Sequence, residues 1–150
     1  MGIRCSCGVL STPITSTIGT INMTFADNVT RSGNLTIDID ACVDRLDSST
    51  FSATFTDTSG VIPPRNFTFT ATSFQNVICF QENGSCQVIT SGMGLVSGET
   101  TPRQFTLTFR NNPSPTADQL ITFVILGFVG NGTTPNLDPN LTFFGCPTSL

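Results

Sequence analysis

The chain has 150 residues and a formal net charge of −4, and 11% of its residues are charged. That length suits one domain with its own core, and a hydrophobic content of 38% argues against a disordered chain. Six Arg that form no cluster, without any Lys, argue against nucleic-acid binding. The sequence has no His or Lys to act as a base for a hydroxyl or thiol nucleophile. We therefore predict a protein that is not an enzyme and needs no cofactor.

The first segment, residues 1–13, contains Cys5 and Cys7 among small residues and shows little alternation. We interpret it as an extended N-terminal connector arm, followed by one β-domain over residues 14–150. Residues 1–10 hold no apolar run of secretory length. No run in the chain reaches the ~20 apolar residues of a membrane-spanning helix, so we predict no membrane span.

The rest of the chain alternates between apolar and hydroxyl side chains, which is typical of antiparallel strands with one face on a core. Turn signals such as Ser32-Gly33-Asn34 and Pro63-Pro64 separate these runs. About eight or nine short strands of this kind predict an all-β, single-domain antiparallel β-sandwich of jelly-roll type. The alternating or apolar runs are, in chain order, 14–25, 35–40, 51–56, 67–70, 105–109, 120–129 and 141–144.

Six cysteines in a polar β-rich chain predict disulfides, and disulfides predict an extracellular, spore-surface or cell-surface location. The spacing of the cysteines and the lack of His disfavour zinc. A loop between Cys79 and Cys86 can set them on facing strands, so they are the candidate intrachain pair; two free thiols are the alternative. The other four cysteines either link neighbouring subunits or close within one chain. These intersubunit candidates are Cys5, Cys7, Cys42 and Cys146.

Two further groups of residues are candidate sites. Asp38 and Asp40 share a strand face and are weak calcium candidates, and the alternative is a solvated acidic face. Seven N-x-S/T sequons occur, although a chain rich in Thr and Ser also produces such triplets by chance. The sequons that fall in predicted turns are the glycosylation candidates, Asn28, Asn34, Asn83 and Asn131.

One known family has three features in common with this chain: a cysteine-bearing N-terminal segment, a body rich in Thr and Asn, and a cysteine near the C-terminus. With Cys5 and Cys7 near its start, Cys146 near its end and Cys42 as a second acceptor, the chain resembles the pilus subunits of bacterial endospore appendages (Ena-type). In that family the arm of each subunit docks into other subunits and is locked there by disulfides. The resemblance implies a disulfide-crosslinked extracellular fibre. Ser6 is a departure, since the family often has adjacent cysteines in the arm.

Composition and resemblance point to the same function. Open sheet edges and hydroxyl-covered faces favour β-pairing between copies. We predict a structural subunit that self-assembles into a homopolymer, with copies of itself as its partners. The alternatives are a lectin-like or adhesin binding module that uses the turn loops, and a viral capsid or decoration protein of the same fold.

Overall fold

A computed structural model describes residues 5–11, 16–82, 85–111, 118–131, 137–138 and 141–145. Antiparallel strands dominate, which confirms the prediction of an all-β chain. A short 3-10 helix occupies Val43–Ser48. The strands are β1 (Gly8–Leu10), β2 (Ser16–Phe25), β3 (Thr30–Cys42), β4 (Thr50–Asp57), β5 (Phe67–Glu82), β6 (Ser85–Val96), β7 (Arg103–Asn111), β8 (Gln119–Ile125), β9 (Phe128–Asn131), β10 (Leu137–Asp138) and β11 (Thr142–Phe144).

Strands β2 to β9 form a closed antiparallel barrel in which each strand pairs with the next one along the chain. The ring closes where β9 pairs with β2, from Asn22↔Asn131 to Phe25↔Phe128. Consecutive strands tend to lie side by side, which favours such a meander. The jelly-roll sandwich predicted from sequence is not confirmed, because the order of the described strands contains no Greek-key crossing between two sheets.

Strand β1 lies inside the sheet. It pairs with β3, from Gly8↔Cys42 to Leu10↔Asp40, and with β11 on its other side. Val9 is fully buried in the core. The sequence predicted a connector arm over residues 1–13. Residues 8–10 instead form a strand within the sheet. The predicted boundary between residues 13 and 14 lies outside the described residues.

Phenylalanine rings fill the barrel interior in two groups. In the first, the ring centroid of Phe67 lies 4.5 Å from that of Phe128, 5.7 Å from Phe55 and 6.1 Å from Phe25. We call these four residues the mouth cluster. In the second, the central cluster, the ring of Phe105 packs among three others at centroid distances of 5.3 to 5.6 Å. The three neighbours of Phe105 are Phe51, Phe69 and Phe74.

Small residues on the barrel wall make room for these rings. A Cβ atom at Gly33 on β3 would overlap the ring of Phe55, and one at Gly94 on β6 would overlap the ring of Phe69. Small barrels commonly alternate small and large interior residues in this way. The glycines thus allow the interior to be packed with aromatic side chains.

The outer surface of β2 to β5 carries hydroxyl and amide side chains in cross-strand rows. The hydroxyl oxygens of Thr24 and Thr30 lie 2.8 Å apart, and those of Thr54 and Thr68 lie 3.4 Å apart. Such cross-strand pairs stabilise a sheet. We call this surface the hydroxyl wall; its members are Asn22, Thr24, Thr30, Asn34, Thr36, Ser52, Thr54, Thr56, Thr68 and Thr70.

Candidate functional site at the mouth of the barrel

Four chain reversals meet at one end of the barrel, which we call the mouth. They follow β2, β4, β6 and β8 and comprise residues 26–29, 58–66, 97–102 and 126–127. In an antiparallel meander every second connection lies at the same end. The mouth therefore gathers side chains from four separate parts of the sequence.

Two bidentate ion pairs lie across the mouth. Arg65 donates hydrogen bonds of 2.8 and 2.7 Å to the two carboxylate oxygens of Asp27, and so joins the connection after β4 to the turn after β2. Arg103 donates bonds of 2.7 and 2.9 Å to the two oxygens of Glu99. Paired N–H···O bonds of this kind fix geometry more strongly than a single contact does.

Both guanidinium groups cover rings of the mouth cluster. The Cζ atom of Arg65 lies 5.1 Å from the ring centroid of Phe25, and that of Arg103 lies 5.1 Å from the centroid of Phe128. A cation over an aromatic face contributes about 0.5–1 kcal/mol at an exposed site. The mouth cluster is thus covered by arginines that carboxylates hold in position.

A third pair is more deeply buried. Arg31 donates a 2.9 Å hydrogen bond to Asp57, and only 10% and 1% of the two side chains are exposed. Asp57 also accepts bonds from the backbone N–H groups of Ser59 and Arg65, at 2.8 and 2.9 Å. Hydrogen bonds from Ser59 and Arg65, with a further one from Arg31, hold the pKa of Asp57 well below its usual range. This carboxylate therefore anchors the connection after β4.

We expect the free energy of unfolding to decrease as the pH falls below about 4.5. Hydrogen bonds from Arg65 lower the pKa of Asp27, and hydrogen bonds from Arg103 lower the pKa of Glu99. A carboxylate whose pKa is lowered in the folded state stabilises the fold above its unfolded pKa. That contribution is lost as the pH falls through the folded value. Thermal unfolding followed by circular dichroism between about pH 7 and pH 2 measures the decrease.

The control is the double variant Asp27→Asn with Glu99→Gln. It should melt at a lower temperature than the wild type at neutral pH, because both bidentate ion pairs are lost. It should also lose less stability on acidification. Identical pH dependence in the two proteins would contradict this prediction.

Disulfides close the opposite end of the barrel. Cys5 is bonded to Cys42, and Cys7 is bonded to Cys79, so the chain before β1 is tied to β3 and to β5. Cys86 is also disulfide-bonded. Cys146 itself lies outside the described residues.

These bonds correct two sequence predictions. The pair Cys79–Cys86 is wrong, since Cys79 is bonded to Cys7; on the facing strands Cys79 lies opposite Val88 rather than Cys86. The prediction that Cys5, Cys7 and Cys42 link neighbouring subunits is corrected as well. These three cysteines close within one chain, because β1 belongs to the same sheet and brings the bonded Cα atoms to 5.8 and 5.9 Å.

The two calcium candidates are each held by a protein partner. Asp40 accepts a 2.7 Å bond from Arg45, and Asp38 accepts a 3.1 Å bond from the hydroxyl group of Ser11. Within the described part of the chain, three potential metal ligands come together only at Cys5, Cys42 and Asp44, where both sulfurs form a disulfide. The contacts of Asp38 and Asp40 therefore give the calcium hypothesis no support.

The glycosylation candidates differ in their surroundings. Asn28 is exposed in the turn after β2, with φ of 66°. Asn34 is exposed too, but it lies within β3 rather than in a turn, between the inward-facing residues of that strand. Strand alternation produces N-x-T wherever Asn and Thr flank a core residue, as Asn34 and Thr36 flank Leu35. Asn83 and the side chain of Asn131 lie outside the described residues, and glycosylation stays a prediction.

This architecture is an antiparallel meander barrel. Disulfides crosslink one end of it, and ion pairs cover aromatic rings at the other end. Comparison with protein-family models, curated proteins and solved structures gives no match for the chain. The resemblance to endospore appendage subunits therefore stays a prediction. The described residues include no helix of the length and apolar character needed to span a membrane. The disulfides are compatible with an oxidising extracellular or surface environment.

Proposed function

We propose that the chain is an extracellular, non-catalytic structural subunit whose copies associate through the hydroxyl wall into a homopolymer at a cell or spore surface. The observation that supports this most directly is the composition of the wall, whose members are all Thr, Ser or Asn, with the exposed carboxylate of Asp38, opposite Ser52, at its edge. Soluble monomers usually interrupt such β surfaces with charged residues. A stiff β surface that carries charge only at its edge suits packing against a second copy.

Most arginines are neutralised within the subunit, so in this proposal contacts between copies depend on hydroxyl and amide groups rather than on ion pairs. Four Arg side chains each pair with a carboxylate of the same chain. These pairs leave the net charge of −4 unchanged, and they leave few arginines for ion pairs between copies. The paired arginines are Arg31, Arg45, Arg65 and Arg103.

In this proposal the described disulfides stiffen each subunit and do not link subunits. Cys5, Cys7, Cys42 and Cys79 are all consumed within one chain. Noncovalent contacts between walls then hold the polymer together. A fibre of this kind should release monomers in denaturing detergent without reductant.

The test is the variant Thr54→Lys, which places a charge in the middle of the hydroxyl wall. We expect the oxidised wild-type protein to form high-mass species. The variant should remain monomeric, because packing two walls together would bury the added charge without a partner, at a high cost in free energy. Analytical ultracentrifugation and negative-stain electron microscopy measure the difference. A wild-type protein that stays monomeric at high concentration under oxidising conditions would contradict the proposal.

The matched control is Thr58→Lys, which adds the same charge at an exposed position in the connection after β4. This variant should assemble as the wild type does. Equal loss of assembly in both variants would show that net charge, and not the wall, controls association. The same micrographs distinguish a fibre from the closed shell expected of a capsid protein.

A further inference from the structure

A cleft of about 500 Å³ opens at the mouth, between the connection after β6 and the turn after β8. Its lining includes Thr100, Thr101, Pro102 and Leu126, with the ion pair of Glu99 and Arg103 along one side. Small-molecule sites have volumes of about 300–1,000 Å³, and the mouth of a β-barrel is a common place for them. Size and position both make this cleft a candidate binding site.

The charged side chains beside the cleft already have ion-pair and hydrogen-bond partners within the protein. Nε and Nη2 of Arg103 donate to the two oxygens of Glu99, at 2.7 and 2.9 Å. Nη1 of Arg103 donates to the backbone carbonyl oxygen of Leu126, and the guanidinium face lies over the ring of Phe128. An anionic or cationic ligand would have to displace one of these contacts. The cleft therefore favours a neutral ligand.

The remaining groups combine hydrogen bonding with apolar surface. Thr100 and Thr101 are exposed, and neither hydroxyl group bonds to another residue in the part of the chain that the structure describes. Leu126 is 66% exposed, and Pro102 is also exposed. A matching ligand has hydroxyl groups along its edge and C–H groups on its face.

The cleft is held in shape before any ligand binds. The backbone N–H of Glu99 donates a 2.9 Å bond to the carbonyl oxygen of Val96, which closes the turn after β6. Arg103 connects this segment to the turn that contains Leu126. Such preorganisation reduces the entropy lost on binding.

We infer that this cleft binds a neutral saccharide, with Thr100 and Thr101 contacting ring hydroxyl groups and Leu126 contacting the C–H face of the ring. The inference does not depend on self-assembly, because every residue involved belongs to one subunit and lies outside the hydroxyl wall. A polymer of such subunits would display the cleft repeatedly along its length, which strengthens weak binding through multivalency.

The test is a titration of the ¹⁵N-labelled protein with glucose, galactose, mannose and N-acetylglucosamine, followed by NMR. At least one sugar should shift the backbone amide signals of residues 98–101, 103 and 126–127, and leave those of the hydroxyl wall unchanged. Glucuronate and glucosamine should bind no more tightly than glucose, because the cleft offers no unpaired charge. Absence of shifts with all four neutral sugars, shifts at another surface, or preferred binding of a charged sugar would overturn the inference.

The double variant Thr100→Val with Thr101→Val should bind the responding sugar about tenfold more weakly, as expected for the loss of one or two hydrogen bonds. The control, Thr36→Val with Thr54→Val, makes the same change on the hydroxyl wall and should bind as the wild type does. Unchanged affinity in the Thr100 and Thr101 variant would also overturn the inference. Thr54→Lys, designed to block assembly, should keep saccharide binding, so the two proposals can fail separately.

Discussion

Replacing Phe105 by alanine is expected to lower the free energy of unfolding by about 3–5 kcal/mol. Phe105 is fully buried on β7, and its ring lies 5.3 to 5.6 Å from those of its three neighbours in the central cluster. Alanine removes these contacts and leaves a cavity. The strands around it are hydrogen-bonded on both sides, so the barrel cannot collapse to fill the space. Urea unfolding of wild type and variant measures the difference.

The matched variant Phe105→Leu keeps most of the buried volume and loses the aromatic contacts. It should cost about 1–2 kcal/mol, less than the alanine variant. This ordering separates the effect of cavity size from that of ring geometry. A loss below about 1 kcal/mol in Phe105→Ala would show that the interior is not close-packed around this ring.

The sequence predicted the faces of the strands but not the closure of the sheet. Alternation correctly placed Phe105, Leu107 and Phe109 on the buried side of β7. The same alternation occurs in a sandwich and in a barrel, because it records only which face of a strand is covered. Closure depends on pairing between β2 and β9, whose paired residues are about a hundred positions apart in the sequence. Local patterns carry no information on pairing over such a distance.

Gly33 shows how a local rule can mislead. Ser32-Gly33-Asn34 has the composition of a turn, yet the three residues lie within β3 and pair with β2. The glycine is required there because the ring of Phe55, on the neighbouring strand, occupies the space of a side chain. A rule that considers only adjacent residues cannot detect a ring on another strand.

The mouth was missed by sequence analysis for a related reason. Asp27 and Arg65 are 38 positions apart and meet only after the barrel has brought two turns together. Glu99 and Arg103 have i,i+4 spacing, but on a β-rich chain that spacing does not predict contact. The disulfide between Cys7 and Cys79 could not be predicted either, because the sequence of residues 1–13 does not indicate that β1 belongs to the sheet.

Removing that disulfide with the double variant Cys7→Ser and Cys79→Ser is expected to lower the free energy of unfolding by about 4 kcal/mol. The bonded residues are 72 positions apart, so the bond restricts a long loop in the unfolded chain. It also holds the segment before β1 against β5, whereas among the described strands β1 pairs with β3 and β11. Chemical denaturation of both oxidised proteins measures the loss.

The comparison variant is Cys5→Ser with Cys42→Ser, whose bond spans 37 positions. It should cost about 0.6 kcal/mol less, since loop-closure entropy grows slowly with length. Neither variant should change the monomer band on a non-reducing gel, because both bonds close within one chain. If these cysteines joined subunits instead, the variants would lose covalent oligomers while an isolated subunit kept its stability, and that result would contradict the assignment of both disulfides.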